Sequence, residues 1–261
     1  MSAGMKRDKF NGEKRVYDEI QEMLSIMSTY GLNAANSPVY KELETILLKI
    51  IAILGILTAL VCSMSATAQD NPKKVLAYST SAQLGLVYFA LGVLNIKAAL
   101  ILFVAHAFIK SMLFILLPKE NEKWNYVKFI LFLIGGLSLS GLILSGMVAK
   151  EFFATSLGNI GTIIVSLVSF LTAFYIIRIA LRIFDTQGVE KARPNLFELI
   201  AAIGLLVLNI VFYVYLHLTC KYSVAEPFWA ALTAWICVYI LYRKNAFWKV
   251  PLLYQLAYNG F

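Results

Sequence analysis

The sequence predicts an all-α polytopic membrane protein with about seven transmembrane helices. Three observations predict it. Of 261 residues, 60% are hydrophobic and only 15% charged, where an ordinary soluble domain carries about 25% charged residues. Mean hydropathy is +0.74, and the apolar residues fall in runs close to the roughly 20 that cross a bilayer core of about 30 Å. The cations behind the net charge of +8 sit at the ends of those runs. Positive-inside bias accounts for that placement more simply than a nucleic-acid partner does. Soluble globular, disordered and coiled-coil classes are excluded.

Residues 1–44 are polar and mixed in charge, without the early apolar stretch of a signal peptide. Within them Val16, Ile20, Met23, Leu24, Met27 and Tyr30 recur at helical spacing before Gly31. That pattern reads as a short amphipathic helix lying on the membrane or on a partner. Ser37-Pro38 then offers an N-cap residue followed by proline at the first helical position.

The uncharged run 50–69 supplies one span, 75–96 a second, and 98–117 a third that is interrupted by His106 and Lys110. A polar loop, 118–126, follows. The stretch 129–177 contains one charged pair, Lys150-Glu151, and must hold two spans. A turn at Lys150-Glu151 would put both charges at a helix end. A turn at Gly158-Asn159-Ile160-Gly161 has the better turn chemistry and carries both charges inside the preceding span. That span would then measure about 40 Å at about 1.5 Å per residue, too long for one straight crossing. It must tilt, kink or break, and Gly141 and Gly146 are where it could. Two further spans, 198–218 and 227–242, follow a polar connection at 185–195. Loops 70–74, 118–128 and 182–193, with Arg243, Lys244 and Lys249 in the tail, hold most of the Lys and Arg. The expected topology therefore has the C-terminus inside and the N-terminus outside.

Ionisable groups inside a span are costly and mark function. His106 and Lys110, four apart, share one helical face. An imidazole beside a desolvated amine makes a proton relay, against a bland reading of a structural histidine and a snorkelling lysine. Lys110 stands about midway between Ala98 and Leu117, too deep to snorkel easily. Lys150 and Glu151 read either as a relay pair or as a helix-end ion pair. Lys73-Lys74 read first as topology-setting loop cations. Arg178 and Arg182, one turn apart, read as anchors, and His217 as interfacial. Cys62, Cys220 and Cys237 form no CxxC pair, so neither a disulfide framework nor a cysteine zinc site is expected. A phosphate loop, an HExxH and a nucleophile elbow are all missing. No catalytic residue, cofactor or metal is expected, which leaves a proton or cation conduit.

Several segments carry a family resemblance. Lys73-Lys74-Val-Leu-Ala-Tyr-Ser-Thr80, followed by Gln83-Leu84-Gly85, resembles a signature of the antiporter-like subunits of proton-pumping NADH:quinone oxidoreductase. Ala105-His106-Ala107-Phe108-Ile109-Lys110-Ser-Met-Leu-Phe114 resembles that family's His-Ala-Phe-Phe-Lys-Ala-Leu-Leu-Phe motif. Its lysine is similar to the subunit 5 branch, shared with the large Mrp-type sodium/proton antiporter subunit. Ser140-Gly141 to Ser145-Gly146, then Lys150-Glu151, resembles the loop of a discontinuous helix and its lysine-acid pair. Tyr258-Asn259-Gly260-Phe261 resembles the start of a further motif.

The resemblance covers residues 45–261 and implies the second of two inverted five-helix repeats. On it, 45–184 is a proton-channel half-repeat and 185–261 adds two spans and a tail. His106 and Lys110 would be the central relay, Lys150 the exit-side residue with Glu151 supporting it, and Lys73 a connecting residue. Partners would be other membrane subunits, including a polypeptide that supplies the missing first half-repeat, in a mitochondrial inner or bacterial plasma membrane. Loop 70–74 would face the matrix or cytoplasm. The alternatives are part of a Mrp-type cation/proton antiporter, a membrane hydrogenase or a carbon-uptake complex. Departures from the family pattern are Leu102 in place of a second histidine, Leu142-Ile143 where proline is usual, and Asn71 in place of an acid beside Asp70.

Overall fold

A computed structural model describes residues 22, 25, 26, 38–118, 124–183, 189–190, 195–220 and 226–243. The element order is α1 (Pro38–Ala68), α2 (Pro72–Gly92), α3 (Ile96–Leu116), β1 (Trp124–Asn125), α4 (Tyr126–Ser140), α5 (Leu144–Arg182), β2 (Val189–Glu190), α6 (Leu196–Thr219) and α7 (Glu226–Arg243). The chain divides into two compact units, 1–49 and 50–261. In the first, Glu22, Ser25 and Ile26 are helical. The rest of the expected amphipathic helix, and the Tyr258–Phe261 motif, lie outside the described residues.

Four helices begin in the same way. Asn71, Asn95, Asn125 and Asn195 each stand just before a helix, and each side-chain oxygen accepts a backbone N–H from its first turn. Asparagine suits that position because its oxygen satisfies a donor that the helix leaves orphaned. At α2 the cap is followed by Pro72, which has no N–H to satisfy. At α5 the residue in the cap position is Ile143, and it supplies no such bond.

Five segments are long and apolar enough to cross a membrane: Lys41–Ala68, Pro72–Gly92, Ile96–Leu116, Tyr126–Arg182 and Leu196–Thr219. A shorter apolar helix covers Pro227–Ile240. By length and composition, then, five segments qualify among the described residues rather than the seven expected. The reason is the fourth, whose 57 residues far exceed a bilayer core of about 30 Å. It is interrupted twice. Helix α4 ends at Ser140, with Gly141 left-handed at φ 91°. Gly158, at φ 64° and ψ −158°, then folds α5 back on itself. Thr162 Oγ1 accordingly donates to the Ala154 carbonyl, eight residues earlier, at 3.2 Å. The turn therefore sits at Gly158, not at Lys150-Glu151.

The fold-back puts the two arms of α5 in antiparallel order. Near the turn, Asn95 Nδ2 donates to the Ser156 carbonyl at 3.3 Å and Lys97 sits over the Phe152 ring. At the far end of the second arm, Arg178 reaches the Thr67 carbonyl and Asp70. Helices α2–α5 share the core, while α1 and α6 are only 17% buried over their most apolar windows. The α1–α2 crossing is backbone to backbone. A Cβ on Gly85 would lie 2.5 Å from the Ala59 nitrogen and 2.7 Å from the Gly55 carbonyl oxygen. Small residues permit such approaches between membrane helices, where packing rather than water exclusion holds the pair.

Candidate functional site

The interior of the α2–α5 bundle is polar where a membrane interior is expected to be apolar. His106, Lys110, Lys150 and Glu151 are 7%, 5%, 2% and 0% exposed. Lys110 projects from α3 toward the start of α2, and its Nζ donates to the Leu76 carbonyl at 2.8 Å. That carbonyl also accepts from Thr80 Oγ1 at 2.9 Å. His106 stands one turn earlier on α3. Both of its ring nitrogens are buried with no hydrogen-bond partner.

Lys150 is placed by the break between α4 and α5. The last turn of α4 closes with Leu142 N–H donating to the Leu137 carbonyl and Gly141 N–H donating to the Ser138 carbonyl, each at 3.1 Å. This is the Schellman closure that a left-handed glycine allows. It leaves the Ser140 carbonyl free, and Lys150 Nζ donates to it at 3.2 Å. The ammonium thus sits at the negative end of the α4 dipole, a favourable place for a cation. Gly146 lets the two half-helices approach this closely, since a Cβ there would lie 1.8 Å from the Ser138 carbonyl oxygen. Glu151, next in sequence, points about 100° away around the helix. Its Oε1 accepts the Phe228 backbone N–H in the first turn of α7, at 3.1 Å.

Lys73 differs from the other candidates. Its side chain is exposed at the start of α2, three residues before Leu76, and its own N–H donates to Asn71. The structure therefore gathers His106, Lys110 and Lys150 and leaves Lys73 at the rim. A cleft of about 510 Å³ opens beside His106 and Lys110, lined from α2 and α3 by Thr80, Leu84, Phe103 and Phe114 among others.

Other buried polar groups extend the cluster. Tyr175 Oη donates to Ser79 Oγ at 2.5 Å and lies 3.3 Å from Thr172 Oγ1, which Gln83 also approaches. Lys128 pairs with Glu198 at 2.5 Å, joining α4 to α6. Asp70 pairs with both Arg178 and Arg182, which the sequence suggested only as anchors. On α6, Asn209 is 1% exposed and accepts the Ser145 backbone N–H at 3.4 Å. Sequence reasoning passed over Asn209, although one asparagine inside a 24-residue apolar helix is a signal of the same kind as Lys110.

Residues 21–180 match the family described as "NADH:quinone oxidoreductase/Mrp antiporter, TM". The match begins well before residue 45, where the resemblance in the sequence was placed. Among curated relatives, the chain is 35% identical over 190 residues to NADH-quinone oxidoreductase subunit L of Buchnera aphidicola subsp. Acyrthosiphon pisum, covering 64% of this chain and 31% of that protein. It is 28% identical over 258 residues to NADH-ubiquinone oxidoreductase chain 5 of Phytophthora infestans, covering 85% and 38%. Against subunit L of Escherichia coli K12 the figures are 32% over 170 residues, covering 57% and 27%. The chain spans about a third of the length of the curated relatives it matches.

Proposed function

The chain belongs to the NADH:quinone oxidoreductase/Mrp antiporter transmembrane family, and on that premise we propose that it is a partial, subunit-5-like proton-translocating subunit of a respiratory NADH:quinone oxidoreductase. One observation carries the reading. Two lysines are buried in the bundle, each hydrogen-bonded to protein through a single backbone carbonyl, and a buried histidine whose ring nitrogens have no hydrogen-bond partner lies one turn from Lys110 on α3. An ammonium has three donors, so both amines keep capacity for water and for a transferable proton. Imidazole can take a proton on one nitrogen and release it from the other.

In this reading His106 and Lys110 form the central relay, and Lys150 is the exit-side residue. Glu151 supports the site by holding the start of α7, and Lys73 connects the site to the rim. Residues 45–184 act as the half-repeat, 185–261 add helices beside it, and 1–44 stand apart. In this reading the driving force is charge movement in neighbouring subunits. The partners are membrane subunits of the same complex, among them a polypeptide carrying the first half-repeat. Loop 70–74 and the C-terminus face the matrix or cytoplasm of a mitochondrial inner or bacterial plasma membrane.

The printed family description also names Mrp antiporters, which makes a cation/proton antiporter the second reading, with membrane hydrogenase or carbon-uptake complexes behind it. Purification in mild detergent from the native membrane, with every companion identified, separates them. Companions that oxidise NADH and carry iron–sulfur clusters, plus a polypeptide resembling the first half-repeat, support the respiratory reading. Antiporter subunits alone move the assignment to the second. Recovery of neither set removes the relay assignment.

A further inference from the structure

Of the five helix starts whose cap residue is described, only that of α5 lacks a side-chain cap. Asn71, Asn95, Asn125 and Asn195 cap their own helices, whereas Ile143 gives α5 no side-chain bond and Leu144 is held at φ 55°. An uncapped start inside a membrane leaves backbone donors with no water to satisfy them. The donor that is met, Ser145 N–H, is met from another helix by Asn209 Oδ1. Asn209 is 1% exposed, and its Nδ2 has no partner. The hydroxyls of Ser138 and Ser145, one on each side of the break, are likewise buried without partners.

We propose that Asn209 is the positioning residue of the site: a cap supplied across helices that fixes the start of α5, and through it the Ser140 carbonyl that holds Lys150. The chain of contact is short. Asn209 holds Ser145, the neighbour of Gly146. Gly146 packs on the Ser138 carbonyl, and Lys150 returns one turn later to Ser140. Movement of α6 relative to α5 would therefore shift the carbonyl on which Lys150 rests, coupling this site to whatever displaces α6. The inference rests on the role proposed above for Lys150.

The test uses the assembled complex in its own membrane, with proton translocation measured per assembled chain. Asn209→Leu keeps the branched shape and the number of side-chain heavy atoms and removes the acceptor, while Asn209→Asp keeps the acceptor. The leucine variant should lower translocation at least about fivefold, the scale of a lost cap, and the aspartate variant should restore most of it. Added to Lys150→Ala, Asn209→Leu should cause no further loss, because the two act through one element. An additive loss, or a loss that only follows reduced assembly, overturns the proposal. Should Lys150→Ala impair translocation while Asn209→Leu does not, Asn209 alone loses its role. A silent Lys150→Ala overturns both this proposal and the relay it rests on.

Discussion

Lys110 and Lys150 use the same device, an ammonium resting on one main-chain oxygen, yet the two oxygens arise differently. The Leu76 carbonyl belongs to the second turn of α2 and is shared with Thr80. The Ser140 carbonyl is free because α4 stops there. Replacing Lys110 by Ala should reduce proton translocation at least about a hundredfold, the lower range for loss of a positioned proton-transfer group, while leaving the amount of assembled chain unchanged. Proton uptake by sealed vesicles, normalised to assembled chain, measures it. Unchanged pumping with the chain present would assign α3 a purely structural role. Glu151 makes the opposite kind of contribution. As the acceptor for α7, its replacement by Gln should be tolerated better than its replacement by Leu, which leaves the half-buried Phe228 N–H unmatched at a cost of about 1 kcal/mol. Thermal unfolding of the purified complex reads that difference.

The long α4–α5 stretch works through two glycines that do different things. At Gly158 nothing lies within 4 Å of a would-be Cβ, so space is not the constraint. Its φ of 64° with ψ of −158° is a backbone state essentially open to glycine alone. Gly158→Ala should cost about 1–3 kcal/mol through backbone strain. At Gly146 the reverse holds. Its backbone is helical, but the Ser138 carbonyl oxygen would lie 1.8 Å from any Cβ. Gly146→Val should cost about 3 kcal/mol or more, because the obstacle is backbone and cannot rotate aside. Both variants are compared by thermal stability and by accumulation in the membrane, with translocation falling further in the second, since the clash lies at the break that seats Lys150. Equal effects of the two would argue against the close packing of the half-helices.

Across the bundle, α2 fixes a ruler. Its 21 residues measure about 32 Å at about 1.5 Å per residue, the thickness of a bilayer core. Lys73 and Val93, both exposed, should therefore lie on opposite faces of the membrane. With the native cysteines removed, a membrane-impermeant thiol reagent should label Lys73→Cys from the matrix or cytoplasmic side and Val93→Cys from the other. Labelling of both from one side would dismiss the crossing, and reversed labelling would invert the proposed orientation. At the Lys73 end, Asp70 joins Arg178 and Arg182, and Arg178 also caps the closing carbonyls of α1 at Thr67 and Gln69. Those contacts bind the α1–α2 connection to the end of α5, so Arg178 serves the fold as well as the membrane interface.

Composition and apolar run length were enough to read an all-helical membrane protein, and the spacing of His106 and Lys110 was enough to read a shared face. Those properties are local: hydropathy is a sum over neighbours, and a four-residue interval means one face on any helix. The helix start at Pro38 was legible for the same reason, since a cap acts within three residues, whereas the span read as 75–96 ran through the Asn95 cap. The partners of the buried charges were not. Nothing near Lys110 in the chain points to Leu76, and nothing near Lys150 announces that Ser140 has a free carbonyl, because both contacts arise from helices folded against each other. Asn209 meets Ser145 across 64 residues. Glu151 reaches Phe228 across 77. Lys150 and Glu151, adjacent in the sequence, reach different hydrogen-bond partners, the Ser140 carbonyl and the Phe228 N–H.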